Sequence, residues 1–441
     1  MEFKREPGKM LSLGFQHVLA MYAGAVLVPL LIGQALGLSG TELSYLVSID
    51  LAASGVATLL QVWKNRFFGI GLPVVLGCTF TAVAPMITIG KQFGLSGIYG
   101  SILIAGLVVI LIAKYFSKII KLFPPVVTGS VVTIIGMSLI PTAIDKMAGG
   151  QGSERFGSPM NLALSFGVLL LIILINRFFK GFIRAISILI GLIGGTVVAY
   201  MFGRVDMSSV GEADWFHMVE PFHFATPTFH LSAILTMVIV AIVSLIESTG
   251  VFFALSDVCD QPLDDKDLER GYRSEGLAIV IGSLFNAFPY TTFSQNVGLV
   301  ELSNVKSKKI IVICGLLLIG FGLEPKIGAL TTLIPTPVLG GAMVAMFGMV
   351  IASGVKMLSR VDFSKQDNLM IIACSVGLGL GVTVQPDLFA QLPNSVQIIT
   401  NNGIVAGSIT AILLNIIFNV SVSRQKTRQK AAIQTQAERV S

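Results

Sequence analysis

Long apolar runs alternate with short polar segments along almost the whole chain, and most runs are long enough for a helix to cross a bilayer. We interpret this pattern as fourteen membrane spans, which predicts an all-α integral membrane protein. The predicted spans are 11–34, 43–63, 70–90, 98–116, 126–144, 161–177, 183–203, 231–256, 272–288, 291–303, 308–323, 327–352, 368–384 and 403–421.

Two of these spans are predicted to be broken helices. The third contains Pro73, the tenth follows Pro289, and both are rich in β-branched and hydroxyl residues. Each should hold a short extended stretch followed by a half helix, and the two stretches can pair near the middle of the membrane. The N-termini of the half helices would then point N–H groups into a cavity.

The Lys and Arg residues indicate how the spans are oriented. If the N-terminus is cytoplasmic, 25 of the 30 fall in segments on the cytoplasmic side, so both termini are predicted to lie there. The net charge of +6 is then mainly an orientation signal and gives no reason to expect nucleic-acid binding. The basic tail 422–441 is predicted to be either disordered or bound to the anionic lipid surface.

A motif of small residues occurs twice. The segment Pro125–Met137 recurs 212 residues later as Pro337–Met349, with Pro, Val, Gly, Val, Gly and Met at the same spacing. The copies lie in the fifth and twelfth predicted spans, and an odd offset of seven makes them run in opposite directions. The alternative is chance similarity between two small-residue helices. The pattern favours a seven-plus-seven inverted repeat, which many secondary transporters share.

Composition and motifs argue against an enzyme. Charged residues make up 12% of the chain and hydrophobic residues 54%, whereas soluble domains have about 25% charged residues. The four cysteines form no C-x-x-C pair, so neither a disulfide framework nor a metal site is expected. The sequence also lacks the phosphate-binding, hydrolase and zinc-protease motifs.

Three polar residues inside predicted spans are candidates for binding a ligand. Gln295 and Asn296 place two amides side by side in the broken tenth span, where a flat heterocycle with alternating donors and acceptors, such as a nucleobase, would satisfy them. Glu247 lies deep in the eighth span, either as a ligand and proton carrier or as a protonated acid bonded between helices.

Four other polar residues have simpler interpretations. His17, in the first span, could touch a ligand or tie helices together. Glu275 begins the predicted ninth span and could be an ordinary helix N-terminal charge. Asp50 enters the second span near its outer end, and its role is open. Glu301 could pair with Lys306 on the cytoplasmic side.

With these motifs the chain resembles the nucleobase–ascorbate transporter family, and particularly its bacterial xanthine permeases. The resemblance covers nearly the whole chain, and it is carried by Gln16–Gly24, Gly71–Gly77, Glu247–Gly250 and Phe288–Gly298. It implies uptake of a purine nucleobase, with xanthine as the first candidate, coupled to a proton and with no other cofactor. It also implies a bacterial plasma membrane protein and a homodimer held by gate domains.

The resemblance implies a division into core and gate domains. The core would comprise 1–123 and 231–334, the gate 124–230 and 335–421, followed by the tail 422–441.

The resemblance also implies roles for individual residues. The purine would be held by Glu247 and Gln295, with Phe80 stacked on it and backbone near Thr79 and Ser294 adding hydrogen bonds. Asn296, His17 and Glu275 would support affinity and coupling.

The sequence departs from the family at the end of the motif that begins with the Gln-Asn pair. The family motif ends in Thr followed by Gly, Arg or Lys, and this chain has Ser303 and Asn304 at those places. The resemblance implies that these two positions influence selectivity, so urate, guanine, hypoxanthine or uracil stay open as substrates. One further class of protein also stays open, an anion exchanger or channel of the same architecture. A membrane-embedded enzyme would need a nucleophile or a metal-binding set that the sequence does not show.

Overall fold

A computed structural model describes residues 7–119, 123–207, 210–211, 215–393, 396–397 and 400–421. The structure is mostly helical, as the apolar pattern predicted. The helices are α1 (Pro7–Ala35), α2 (Gly40–Val62), α3 (Val83–Ile119), α4 (Pro125–Ala148), α5 (Pro159–Phe178), α6 (Gly181–Ala185), α7 (Ser187–Met201), α8 (Leu231–Cys259), α9 (Asp265–Leu284), α10 (Ser294–Ser303), α11 (Lys308–Gly322), α12 (Pro325–Thr332), α13 (Thr336–Leu358), α14 (Gln366–Val384) and α15 (Gly403–Asn415). The described residues also include two 3-10 turns (Phe80–Ala82 and Pro386–Phe389) and a π-helical turn (Ile416–Ser421).

The two broken spans form the sheet of the described chain. Strand β1 (Leu76–Cys78) pairs antiparallel with β2 (Tyr290–Thr292) in the register Leu76↔Thr292, Gly77↔Thr291 and Cys78↔Tyr290. Backbone hydrogen bonds from Thr79 N to Pro289 O (2.9 Å) and from Phe293 N to Val75 O (2.9 Å) extend the ladder at both ends. Pairing within the protein satisfies backbone groups that a bilayer cannot, so the prediction of short extended stretches is confirmed.

A helical segment follows each strand. After β1 the 3-10 turn leads into α3, which is interrupted at Gly94. Gly94 has φ of +71°, a left-handed conformation that glycine adopts without strain. The residues of α3 before Gly94 are therefore a half helix, and those after it supply the predicted fourth span. After β2, the ten-residue helix α10 is the second half helix.

Eight helices among the described residues are long and apolar enough to cross a membrane. The number is nine if α11 and α12 count as one span bent by 78°. Every predicted span coincides at least partly with a helix, but several of these helices are short, and the count of fourteen stays a prediction.

The predicted boundary of the twelfth span was wrong. The range 327–352 includes a break, because α12 ends at Thr332 and α13 begins at Thr336.

The chain divides into two compact units. The first comprises Met1–Ser117 and Leu139–Met349, and the second Lys118–Ser138 and Val350–Ser441. In the first, α2 is the central helix and packs against α1, α9, α11, α12 and β1. In the second, α14 packs against α15. All of the predicted site residues belong to the first unit, and the predicted core and gate boundaries stay a prediction.

Candidate functional site

The face of helix α8 that meets the strands is polar. Ser244, Glu247 and Ser248 are three and four residues apart, so they project from one side of the helix. The Ser244 hydroxyl lies 3.3 Å from that of Thr79, and the Ser248 hydroxyl lies 3.0 Å from that of Thr291. The Ser248 hydroxyl also accepts a hydrogen bond from Thr292 N at 3.3 Å. Hydroxyl contacts therefore fix α8 to β2 and to the residue that directly follows β1.

Glu247 is the partly exposed member of this face. Its one hydrogen-bond partner among the described residues is the Thr81 hydroxyl, which donates to Oε2 at 3.4 Å. A carboxylate can accept up to about four hydrogen bonds, so most of its capacity is unused. The arrangement can accept N–H donors from a ligand that enters beside the 3-10 turn.

Glu275 is completely buried in the second half of α9. The interpretation of Glu275 as a helix N-terminal charge was wrong, because α9 begins ten residues earlier at Asp265. Neither carboxylate oxygen has a hydrogen-bond partner of good geometry within the described part of the chain. Helices α8 and α9 meet close by, since the Thr249 hydroxyl of α8 lies 2.6 Å from the Tyr272 hydroxyl of α9. Glu247 and Glu275 are thus two and three residues from this contact along their helices.

Gln295 lines a cavity of about 270 Å³ together with Phe293, Gly298 and Leu302. The polar side chains on the other wall are Asn176, Arg184 and Ser187, and none of them was singled out from the sequence. Gln295 is half-buried, and its amide has no protein partner in the ranges that the structure describes. Both ends of the amide are therefore free to bind a ligand.

Asn296 points to helix α1 and bonds His17. Its amide nitrogen lies 3.0 Å from His17 Nδ1 and donates to His17 O at 3.1 Å. Because Nδ1 faces a donor, the ring proton is assigned to Nε2. Both residues are buried, so this pair ties α10 to α1. The geometry favours the supporting role for His17 over direct contact with a ligand.

Thr79 is buried, and both its N–H group and its hydroxyl already have hydrogen-bond partners. Its N–H bonds Pro289 O, and its hydroxyl meets Ser244 and accepts from Thr81 N at 3.3 Å. A ligand that accepts a backbone hydrogen bond near Thr79 would therefore have to use a neighbouring N–H group. Ser294, by contrast, is exposed at the start of α10, where the first N–H groups of a helix have no intrahelical partner.

Phe80 is held by an aromatic contact. Its ring packs edge-on against Phe347, with centroids 5.6 Å apart and planes at 80°. Phe347 is completely buried, whereas Phe80 is partly exposed. The ring is thus fixed next to Thr81, the residue whose hydroxyl bonds Glu247.

Ser303 and Asn304 lie at the far end of α10. Ser303 is eight residues beyond Gln295, roughly 12 Å along the helix axis. Its hydroxyl bonds Val300 O and Val305 N, and exposed Asn304 ends the helix in a left-handed conformation with φ of +50°. An effect of these residues on selectivity would have to act through the position of α10.

The interpretation of Asp50 as a residue near the outer end of its span was wrong. Asp50 is completely buried in the middle of α2 and bonds both strands. The signal that could have found it is the one that found Glu247, a lone acid among apolar residues. The predicted pair of Glu301 with Lys306 was also wrong, because Lys306 bonds Asp260 at 2.6 Å.

Outside the predicted spans, Asp267 connects the C-terminal end of α2 with the first turn of α9. Lys64 lies 2.6 Å from its carboxylate, and Arg270 pairs with the same oxygen. Burial by itself would raise the pKa of Asp267, but the hydrogen bonds from Lys64 and Arg270 outweigh burial and hold the pKa below its ordinary value. Asp267 is therefore ionised and paired at neutral pH.

Comparison with known proteins gives a consistent result. A sequence model of the permease family matches residues 8–388. The chain is 61% identical over 429 residues to the xanthine permease of Bacillus subtilis (strain 168), a match covering 97% of this chain and 98% of that protein. It is 60% identical over 410 residues to the uric acid permease PucK of the same organism, covering 93% and 95%.

Among solved structures, the transmembrane domain of the cyanobacterial bicarbonate transporter BicA is similar to this chain with a TM-score of 0.63. The match covers 89% of this chain and 99% of that domain at 16% sequence identity. At this identity the likeness shows the fold and carries no information about the ligand.

Proposed function

This chain belongs to the permease family, as its motifs predicted, and we propose that it is a proton-coupled permease for purine uptake with xanthine as its main substrate. The family and the relatives are permeases, so the chain is a multi-pass membrane transporter and the enzyme hypothesis is excluded. The free amide of Gln295, half-buried in a cavity of the same unit as Glu247, is the observation that carries the purine assignment.

Gln295 and Glu247 would together complement an oxopurine. Gln295 can donate and accept at neighbouring ring positions, and the carboxylate of Glu247 can accept from ring N–H groups. Amides at the start of α10 add donors for an exocyclic oxygen. Phe80, at the edge of the site, would stack on the ring. A xanthine ring offers both N–H and C=O groups along its edges, which matches this mixture of donors and acceptors.

Glu247 would link substrate binding to protonation. An ionised carboxyl only accepts hydrogen bonds, whereas a protonated one also donates. A ligand that presents N–H groups to Glu247 therefore binds the two forms with different affinity. By linkage, a proton arriving at this acid changes the affinity for purine, and Glu275 is the second acid through which a proton could pass.

Urate is the second candidate substrate, because a uric acid permease is nearly as similar to this chain as the xanthine permease is. We further propose fourteen spans, both termini in the cytoplasm, and a homodimer joined through gate domains. The anion-exchanger hypothesis is supported only by the shared fold.

Uptake in proteoliposomes tests this function. The purified protein should accumulate radiolabelled xanthine when the outside is acidic, and a protonophore should abolish the accumulation. Unlabelled xanthine should compete better than urate, guanine or uracil. Bicarbonate or chloride transport without purine uptake would refute the proposal, and stronger competition by urate would reassign the substrate within the purines.

A further inference from the structure

Asp50 is the most deeply buried acid that the proposed mechanism does not use. It lies in the middle of α2 with no exposed surface, and no Lys or Arg pairs with it in the described part of the chain. A buried carboxylate is strongly unfavourable unless it is partnered. Its position therefore depends on the hydrogen bonds that it accepts.

All three of the hydrogen-bond donors to Asp50 lie in or directly before the strands of the two broken spans. Oδ2 accepts from the Cys78 thiol at 2.5 Å, at the end of β1. Oδ1 accepts from Phe288 N at 3.3 Å and from the Tyr290 hydroxyl at 3.4 Å, just before and at the start of β2. A single side chain thus holds both strands.

The register of the strands shows which side Asp50 occupies. Cys78 and Tyr290 are opposite each other in the ladder, so their side chains lie on the same face. The next pair, Gly77 and Thr291, faces the other way because side chains alternate along a strand. Since Thr291 meets Ser248 of α8, Asp50 lies behind the ladder and the Glu247 helix lies in front of it.

We propose that Asp50 is a positioning residue for the substrate site. By holding Cys78 and Tyr290 it fixes the ladder, whose next backbone bond joins Thr79 N to Pro289 O. Directly beyond Thr79 stand Phe80 and Thr81, of which Thr81 bonds Glu247. Asp50 therefore acts on the ligand through the strands and does not touch it. This inference rests on the proposed purine transport where it is tested by xanthine uptake, but not where it is tested by protein stability.

The hydrogen-bond chemistry explains why this position needs a carboxylate. A carboxylate only accepts, so it suits a thiol, an amide and a phenol that all donate. Asp50→Asn keeps the shape but directs an NH₂ group at one of these donors. If that group faces Cys78, a serine there can accept its hydrogen bond, whereas a thiol is a weak acceptor. Cys78→Ser should therefore rescue Asp50→Asn.

The test compares Asp50→Asn, Asp50→Asn with Cys78→Ser, and Asp50→Asn with Cys314→Ser. Cys314 is an equally buried cysteine on α11 and serves as the matched control. We expect Asp50→Asn to raise the KM for xanthine by about tenfold, the size of one lost hydrogen bond to a charged group, with a smaller change in the maximal rate. The Cys78→Ser double variant should recover most of the affinity, and the Cys314→Ser control should not.

The melting temperature of the purified protein supplies a second readout that needs no substrate. It should fall in Asp50→Asn and recover only with Cys78→Ser. If Asp50→Asn is too unstable to assay, rescue of folding by Cys78→Ser alone still supports the proposal. Native KM and melting temperature in Asp50→Asn, or equal behaviour of the two double variants, would overturn it. If the native protein transports no purine, the proposed function is wrong. The melting temperatures of the variants still decide the role of Asp50 in that case.

Discussion

The replacement Gln295→Glu tests the substrate site without disturbing the fold. Gln295 has no hydrogen-bond partner in the described part of the protein, so the change removes no internal contact. It keeps the size of the side chain but replaces the NH₂ donors with a carboxylate oxygen. A substrate oxygen that had accepted from the amide then faces an acceptor.

The expected loss follows from that mismatch. Leaving one buried polar group unsatisfied costs about 1–3 kcal/mol, which is about a 5- to 150-fold rise in the Kd for xanthine. Binding to purified protein and competition by other purines and by uracil would measure both affinity and selectivity. Glu301→Gln, an exposed change on the same helix, is the matched control and should leave both unchanged. Native affinity and selectivity in Gln295→Glu would refute the assignment of Gln295 as a purine ligand.

Two further predictions concern the aromatic ring of Phe80 and the ion pairs of Asp267, which lie outside the predicted spans. Phe80→Leu should weaken xanthine binding by about two- to tenfold, since an aromatic pair contributes about 0.5–1.5 kcal/mol beyond its buried area, and native affinity at normal expression would show that the ring only packs on Phe347. Asp267→Asn should lower the melting temperature at pH 7, and the difference from the native protein should shrink as the pH falls below about 4, the ordinary pKa of Asp. The sign follows from the lowered pKa of Asp267, since stabilisation by an ionised acid is lost when that acid is protonated. Asp265→Asn, an exposed neighbour without an ion pair among the described residues, is the control, and an equal effect of both changes would contradict the role of the Lys64 and Arg270 contacts.

The broken spans could be predicted from the sequence because the signals are local. Prolines and β-branched residues disfavour helix within a few residues of themselves. The segments after Pro73 and Pro289 accordingly became strands, and the positions of β1 and β2 agree with the prediction. Gln295 could likewise be found from its own neighbourhood, since an amide pair within an apolar span is rare.

Features that depend on distant parts of the chain could not be predicted. The predicted ninth span starts only at residue 272, but the Asp264 cap and the ion pairs of Asp267 start helix α9 at Asp265. For that reason Glu275 was placed at a helix start rather than in the interior. Lys306 pairs with Asp260, 46 positions away, rather than with its neighbour Glu301.

Asp50 could be noticed in the sequence, but its partners could not be predicted. The apolar context of the second span identifies a lone acid, but the partners that make its burial tolerable come from residues 28, 238 and 240 positions away. Which side chains share a carboxylate depends on how the two strands cross. The cavity wall that carries Arg184 and Asn176 opposite Gln295 depends on the packing of helices in the same way.

In the proposed mechanism, Glu247 both binds the purine and couples its uptake to protons. Glu247→Gln keeps the shape and can still accept a hydrogen bond, but it cannot change protonation state. The most direct measurement is xanthine accumulation in proteoliposomes under an imposed pH gradient, together with exchange of labelled for unlabelled xanthine without a gradient. We predict that Glu247→Gln loses gradient-driven accumulation and keeps part of the exchange. Native-level accumulation driven by the gradient would contradict the claim and transfer the proton role to another acid, with Glu275 the next candidate.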